Sequence, residues 1–273
     1  MTDLTLPDLD IVRTWHLPAR ADEDQADAGD GRLATMEVRF SMFDVWYEID
    51  SWWEGRFLER TARGAFRKTI REHNSRKVES AGVKVLFNHG HDFHIGDKLL
   101  GGIDSLTEEP DSPLGVVALD DTSYNRDLLP GLRRGGYGSS FMFRVVKDAW
   151  DQEPGISEHN PEGLPERTIR EVRLFEFGPV TWPANPDATS SLRCVAGTDT
   201  YYAQLRSRDP KRVDELRSRI SAIRTPSGPP AANPALATVG AASSTDEPAT
   251  GHSGGMTPGE RRRRLHPFLK GEQ

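Results

Sequence analysis

Apolar and polar side chains alternate along much of the first two-thirds of the chain. Met36-Glu-Val-Arg-Phe-Ser-Met-Phe43 has the period-two pattern of a half-buried strand. The same pattern holds for Tyr137 to Val146, where Phe141, Phe143 and Val145 share one face. Asp10 to Leu17, the short apolar Val83 to Asn88, Leu114 to Leu119 and Thr168 to Thr181 also read as strands. Helical spacing marks Phe57 to Glu72, through Phe57-Leu58, Ala62, Ala65-Phe66 and Thr69-Ile70, and Thr122 to Leu132, broken by Pro130. Further on, Val213, Leu216, Ile220 and Ile223 form a narrow coiled-coil-like seam, too short to be stable alone and suited to docking on a partner helix.

Short strands outnumber helices, so the pattern predicts a strand-rich α+β domain, with a β-barrel as the specific form. The chain divides into an N-terminal segment with an acidic linker (1–31), a catalytic domain (32–200), a helical segment (201–224) and a disordered linker with a basic tail (225–273). Lys147 to Arg167, rich in Pro, Gly and Glu, reads as a mobile loop. The part from residue 203 onward is expected to be dispensable for chemistry and to serve docking, with Arg261 to Arg264 as a second docking element.

Composition narrows the function. Hydrophobic residues make up 36% of the chain, and almost all the Trp, Phe and Tyr lie between residues 35 and 195, so only the middle can build a sizeable core. A net charge of −7 argues against general nucleic-acid binding. Cys194 is the single cysteine, which removes disulfide frameworks and thiolate metal clusters. No apolar run approaches the ~20 residues that span a bilayer. The N-terminal MTDLTLPDLD lacks the basic-then-apolar order of a secretory signal, so the expectation is a soluble intracellular protein.

Three places hold candidate chemistry. Asn88-His89-Gly90-His91-Asp92-Phe93-His94 could hold a metal, form a solvated surface turn, or supply a general base. No second Cys/His cluster and no HExxH pattern accompanies it. Gly136-Tyr-Gly-Ser139-Ser140-Phe-Met-Phe143 offers a serine nucleophile on a glycine-rich strand start, although Met142 breaks the GxSxG elbow. Glu176, flanked by Phe175 and Phe177, faces away from both on an extended strand, either into solvent or toward an imidazole N–H.

In order and surroundings these elements resemble the prohead (capsid-maturation) serine proteases of tailed phages. The resemblance runs from residue 35 to 192, through Arg63-Gly-Ala-Phe66, Val85-Leu-Phe-Asn-His89, Ser140-Phe-Met-Phe143 and Glu171-Val-Arg-Leu-Phe-Glu176-Phe177. It ends on Val180-Thr-Trp-Pro-Ala-Asn-Pro-Asp-Ala188, the most specific piece. Met142 stands where the family has Gly, and Gly178-Pro179 where it has Ser-Leu. The resemblance implies Ser140 as nucleophile rather than Ser139, His89 as base and Glu176 as third member, with no cofactor and no metal. It implies a β-barrel wrapped by helices, similar to herpesvirus assembly proteases. It also implies work inside the procapsid in the host cytoplasm, on the major capsid protein, the scaffold and the protease itself, with no membrane and no direct nucleic-acid partner. Two other readings stand beside it: an inactive assembly protein that keeps the fold, and a metal-dependent hydrolase built on His89, His91 and His94.

Overall fold

The computed structural model describes residues 9–22, 31–75, 82–181 and 194–224. Along the chain run β1 (Ile11–Asp22), β2 (Arg32–Arg39), β3 (Tyr47–Ser51), β4 (Gly55–Thr61), α1 (Arg67–Asn74) and β5 (Lys84–Val85). There follow β6 (Gly101–Glu108), β7 (Pro113–Asp120), α2 (Ser123–Arg133), β8 (Tyr137–Asp151), β9 (Glu166–Val180), β10 (Cys194–Ala196), α3 (Thr198–Arg208) and α4 (Pro210–Arg224). The strands join in the order β3-β4-β9-β8-β1-β2-β7-β6, with β10 added to β1 and β5 to β9. β9 runs parallel to β4 and β5 and antiparallel to β8, so the sheet is mixed. The strand-rich α+β expectation holds. The path is open from β3 to β6, so strand pairing among the described residues closes no barrel.

One face of the sheet buries an aromatic cluster. The Phe40 ring stacks on Phe177 at 4.7 Å and meets Phe66 at 5.5 Å and Phe141 at 5.6 Å. These four rings come from four separate parts of the chain and tie β8, β9, the end of β2 and the start of α1 into one core.

Several local expectations change. Phe57 to Thr61 is strand β4, not helix, because it lies between β3 and β9 and is covered on both faces. Its apolar positions then lose the period of two and imitate helical spacing. The helix of this region is confined to α1. Pro130 lies inside α2 without ending it, although it costs the helix the bond to the Arg126 carbonyl. The loop expected at 147–167 shrinks, because β8 continues to Asp151 and β9 begins at Glu166.

The seam of α4 is not a free docking edge. Val213, Leu216 and Ile220 are buried in the same core as the sheet, and Tyr202 of α3 packs on Trp53 with ring centroids 4.2 Å apart. The Tyr202 hydroxyl accepts from the Asp10 amide, and Arg212 pairs with the Asp10 carboxylate. The helices are therefore integral to the unit that extends to Pro226. The disorder expected at 225–258, the Arg261–Arg264 tail and the Trp182-to-Ala188 element lie outside the described residues.

On the same face as the aromatic cluster, where Arg13 lies opposite Phe141 and next to the Phe143 ring, sits a buried ion cluster. Arg13 has no exposed surface and forks between Glu59 (2.7 Å) and Glu54 (2.6 Å). Arg167 adds bonds to Glu59 (3.2 Å) and Asp148 (2.8 Å), and the Tyr47 hydroxyl donates to Glu59. Burial alone would raise the Glu59 carboxyl, but Arg13 and Arg167 outweigh it and hold it below the usual range. Removing one partner strands the others, so Arg13→Leu is expected to cost about 3–5 kcal/mol in urea unfolding. A loss below about 1 kcal/mol would show that the cluster adds nothing to stability.

Candidate active site

The two β-registers that cross β8 fix its serines. Thr14 of β1 lies opposite Ser140 on one side, and Gly178 of β9 lies opposite it on the other. Alternation sends neighbours to opposite faces: the Ser139 hydroxyl donates to the Arg39 carbonyl (2.6 Å), while Phe141 enters the aromatic core. Gly178 leaves the space beside Ser140 open. A Cβ there would sit 1.9 Å from the Leu86 carbonyl oxygen, so only glycine lets the segment after β5 cross at this point.

That segment delivers His89. After Phe87 the chain turns through three consecutive residues of positive φ: Asn88 (48°), His89 (56°) and Gly90 (74°). Left-handed backbone is costly for residues with a Cβ, and the surroundings hold the turn in place. The Asn88 side chain accepts from the Thr181 amide (2.9 Å) and donates to the Thr181 hydroxyl (3.2 Å). Arg208 of α3 donates to the Gly90 carbonyl (3.2 Å).

The result is a continuous hydrogen-bonded chain. Ser140 Oγ lies 2.7 Å from His89 Nε2, and His89 Nδ1 is bonded to Glu176 Oε1. Ser140 has no exposed surface and Glu176 is 2% exposed. Glu176 does face away from the core ring Phe177, and what it faces is the imidazole rather than solvent. All three residues singled out from the sequence thus meet at one point. Such an arrangement can pass a proton from a hydroxyl to an imidazole whose other nitrogen is held by a carboxylate.

The other two histidines do not join it. His91 packs edge-on against Tyr201, and His94 is exposed beside Phe93. Among the described residues no group of three or more His, Cys, Asp or Glu side chains is arranged to hold a metal ion. Burial, then the positive charge of Arg208 and of His89, pushes the His91 imidazole down to about 4 from its ordinary 6.5. A histidine depressed in the folded state binds its proton more readily unfolded. Its contribution to stability is therefore whole above about 6.5 and falls away as pH drops toward 4. His91→Gln is expected to flatten that part of the pH dependence: the drop in urea midpoint from pH 7 to 4.5 should be smaller than in wild type. Equal drops would assign the acid loss to other groups.

In the glycine-rich run from Gly131 to Gly138, two backbone amides that could otherwise serve an oxyanion are committed elsewhere. The Gly135 and Gly136 amides donate to the Leu132 and Gly131 carbonyls. Met142, the departure from the usual glycine, pairs across the strands with Val12 and Glu176. Sequence reasoning missed Thr14, Gly178 in its spacing role, and Arg208. The αL preference of Asn could have flagged the turn at Asn88. Nothing local marks Thr14 or Arg208, which reach the site only through the folded sheet and α3.

Neither a curated protein nor a solved structure gives a significant match to the chain. The family described as caudovirus prohead serine protease matches residues 21–200, a span that contains His89, Ser140 and Glu176. By that match the chain belongs to the caudovirus prohead serine protease family.

Proposed function

We propose that the protein is a serine endopeptidase of procapsid maturation, with Ser140 as nucleophile, His89 as general base and Glu176 as the group that orients His89. The observation that carries this reading is the Ser140–His89–Glu176 hydrogen-bonded chain, assembled from β8, the turn after β5, and β9. As Ser140 Oγ attacks the scissile carbonyl carbon, its proton passes to His89 Nε2. The same proton then goes to the departing amine, and water repeats the cycle on the acyl-enzyme. Glu176 fixes the tautomer in which Nδ1 carries hydrogen and stabilises the imidazolium that forms.

The substrates we infer are the capsid protein and scaffold of the same phage, and the protease itself, within the procapsid. Co-expression with the capsid protein should yield shortened capsid bands that persist in EDTA. Bands that vanish with the chelator would favour a metal-dependent hydrolase. An unprocessed capsid protein, beside a folded protease that no serine reagent labels, would favour an inactive assembly protein.

A further inference from the structure

We propose that Thr14 is a further catalytic residue, its hydroxyl donating to Ser140 Oγ while Ser140 passes its proton to His89. The proposal rests on Ser140 being the nucleophile. Thr14 stands outside the 21–200 span that defines the family match. It sits on β1, directly opposite Ser140, and in an antiparallel pair such residues project from the same face. Its Oγ1 lies 3.0 Å from Ser140 Oγ, and Thr14 is buried.

The proton inventory at Ser140 assigns the donor. Its hydroxyl has one hydrogen and three neighbours: His89 Nε2 at 2.7 Å, the Arg13 carbonyl at 2.9 Å and Thr14 Oγ1 at 3.0 Å. A carbonyl only accepts. Nε2 also accepts when Nδ1 directs its hydrogen at Glu176. Thr14 is thus the one neighbour of the three able to donate into an Oγ lone pair, and among the described residues its hydroxyl bonds to nothing else. Threonine is stiff at χ1, and the missing side chain of Gly197 leaves room for Thr14 Oγ1, which a Cβ there would approach to 3.2 Å.

The chemical consequence follows from where charge builds. During acylation the Ser140 O–H bond breaks, its proton goes to Nε2, and Oγ bonds to the carbonyl carbon while the carbonyl π pair moves to oxygen. Oγ gains negative character as the proton leaves, and a donated hydrogen bond stabilises it there more than in the resting hydroxyl. During deacylation the Oγ–C bond breaks and Oγ recovers the proton from Nε2, and the same bond assists its departure. Thr14 occupies one lone pair and leaves the other for attack.

The test uses the full chain and a fluorophosphonate reagent, with the labelled residue located by mass spectrometry. Thr14→Val keeps the shape and removes the hydroxyl, and Thr14→Ser keeps the hydroxyl. Thr14→Val should slow the maximal labelling rate of Ser140 roughly ten- to a hundred-fold, the range for one buried bond to a group that gains charge. Reagent affinity and urea midpoint should stay near wild type, and Thr14→Ser should remain within about three-fold. If Thr14→Val does not fold, Thr14→Ala and Thr14→Ser differ only by the hydroxyl and carry the same comparison. Wild-type labelling by the variant lacking the hydroxyl overturns the proposal, as does Thr14→Ser being equally slow. Wild-type labelling at a residue other than Ser140, or labelling indifferent to His89→Gln, instead refutes the nucleophile assignment and Thr14 with it.

Discussion

Ser140→Ala is expected to remove capsid processing, lowering kcat by about six orders of magnitude as for nucleophile removal in other serine proteases. Ser139→Ala is expected to process at close to the wild-type rate. The contrast is sharp because adjacent residues of one strand point to opposite faces. Ser140 Oγ reaches His89, while Ser139 Oγ is bonded to the Arg39 carbonyl on the far side of the sheet. Ser139→Ala leaves that buried acceptor without this partner, so its signature is a stability loss of about 1 kcal/mol rather than a rate loss. Purified variants assayed on a peptide spanning a capsid cleavage site, with urea midpoints measured in parallel, separate the two effects. An inactive but stable Ser139→Ala enzyme beside an active Ser140→Ala enzyme would exchange the roles.

Glu176→Gln is expected to fold normally and to lose about four orders of magnitude in kcat, the effect of the equivalent acid-to-amide change in the serine protease triad. Glutamine has the size of glutamate, but its amide can present N–H to Nδ1 and so favour the tautomer with hydrogen on Nε2, which cannot accept from Ser140. Glu171→Gln on the same strand is the control. Glu171 pairs with Lys68 and Lys147 and does not touch His89, so it should change kcat less than a few-fold. Asp92 is no substitute for Glu176, since its carboxylate already accepts from the His94 and Ile95 amides. Wild-type turnover by Glu176→Gln would remove the carboxylate from the mechanism.

The strands that read clearly from the sequence were those with one buried and one open face, such as β2 and β7. β4 was hidden because both its sides are paired and because Glu59, a charged residue, is among its most buried positions. β6 was hidden for the opposite reason: as an edge strand only Leu106 within it is deeply buried. At the site, Ser140, His89 and Glu176 were legible through motif resemblance, which reports local sequence. Thr14 and Arg208 reach the site through a strand register and a helix packing that pair residues more than a hundred positions apart, Thr14 with Ser140 and Arg208 with Gly90, and Gly178 through its close crossing with Leu86. Local patterns hold no record of those pairings. The α4 seam was read correctly as apolar but given the wrong partner, because a hydrophobic stripe states that it must be covered and not by what.

β1 lies at the middle of the sheet, yet it is the first of the described strands, and each of its described neighbours comes from later sequence. On the ribosome this strand emerges long before β8, β9 and α3, whose residues surround Ser140. The serine can be translated, but its imidazole cannot be clamped until Glu176 and then Arg208 have left the exit tunnel. The contacts that hold His89 beside Ser140 are thus late products of synthesis, complete only once α3 has been made.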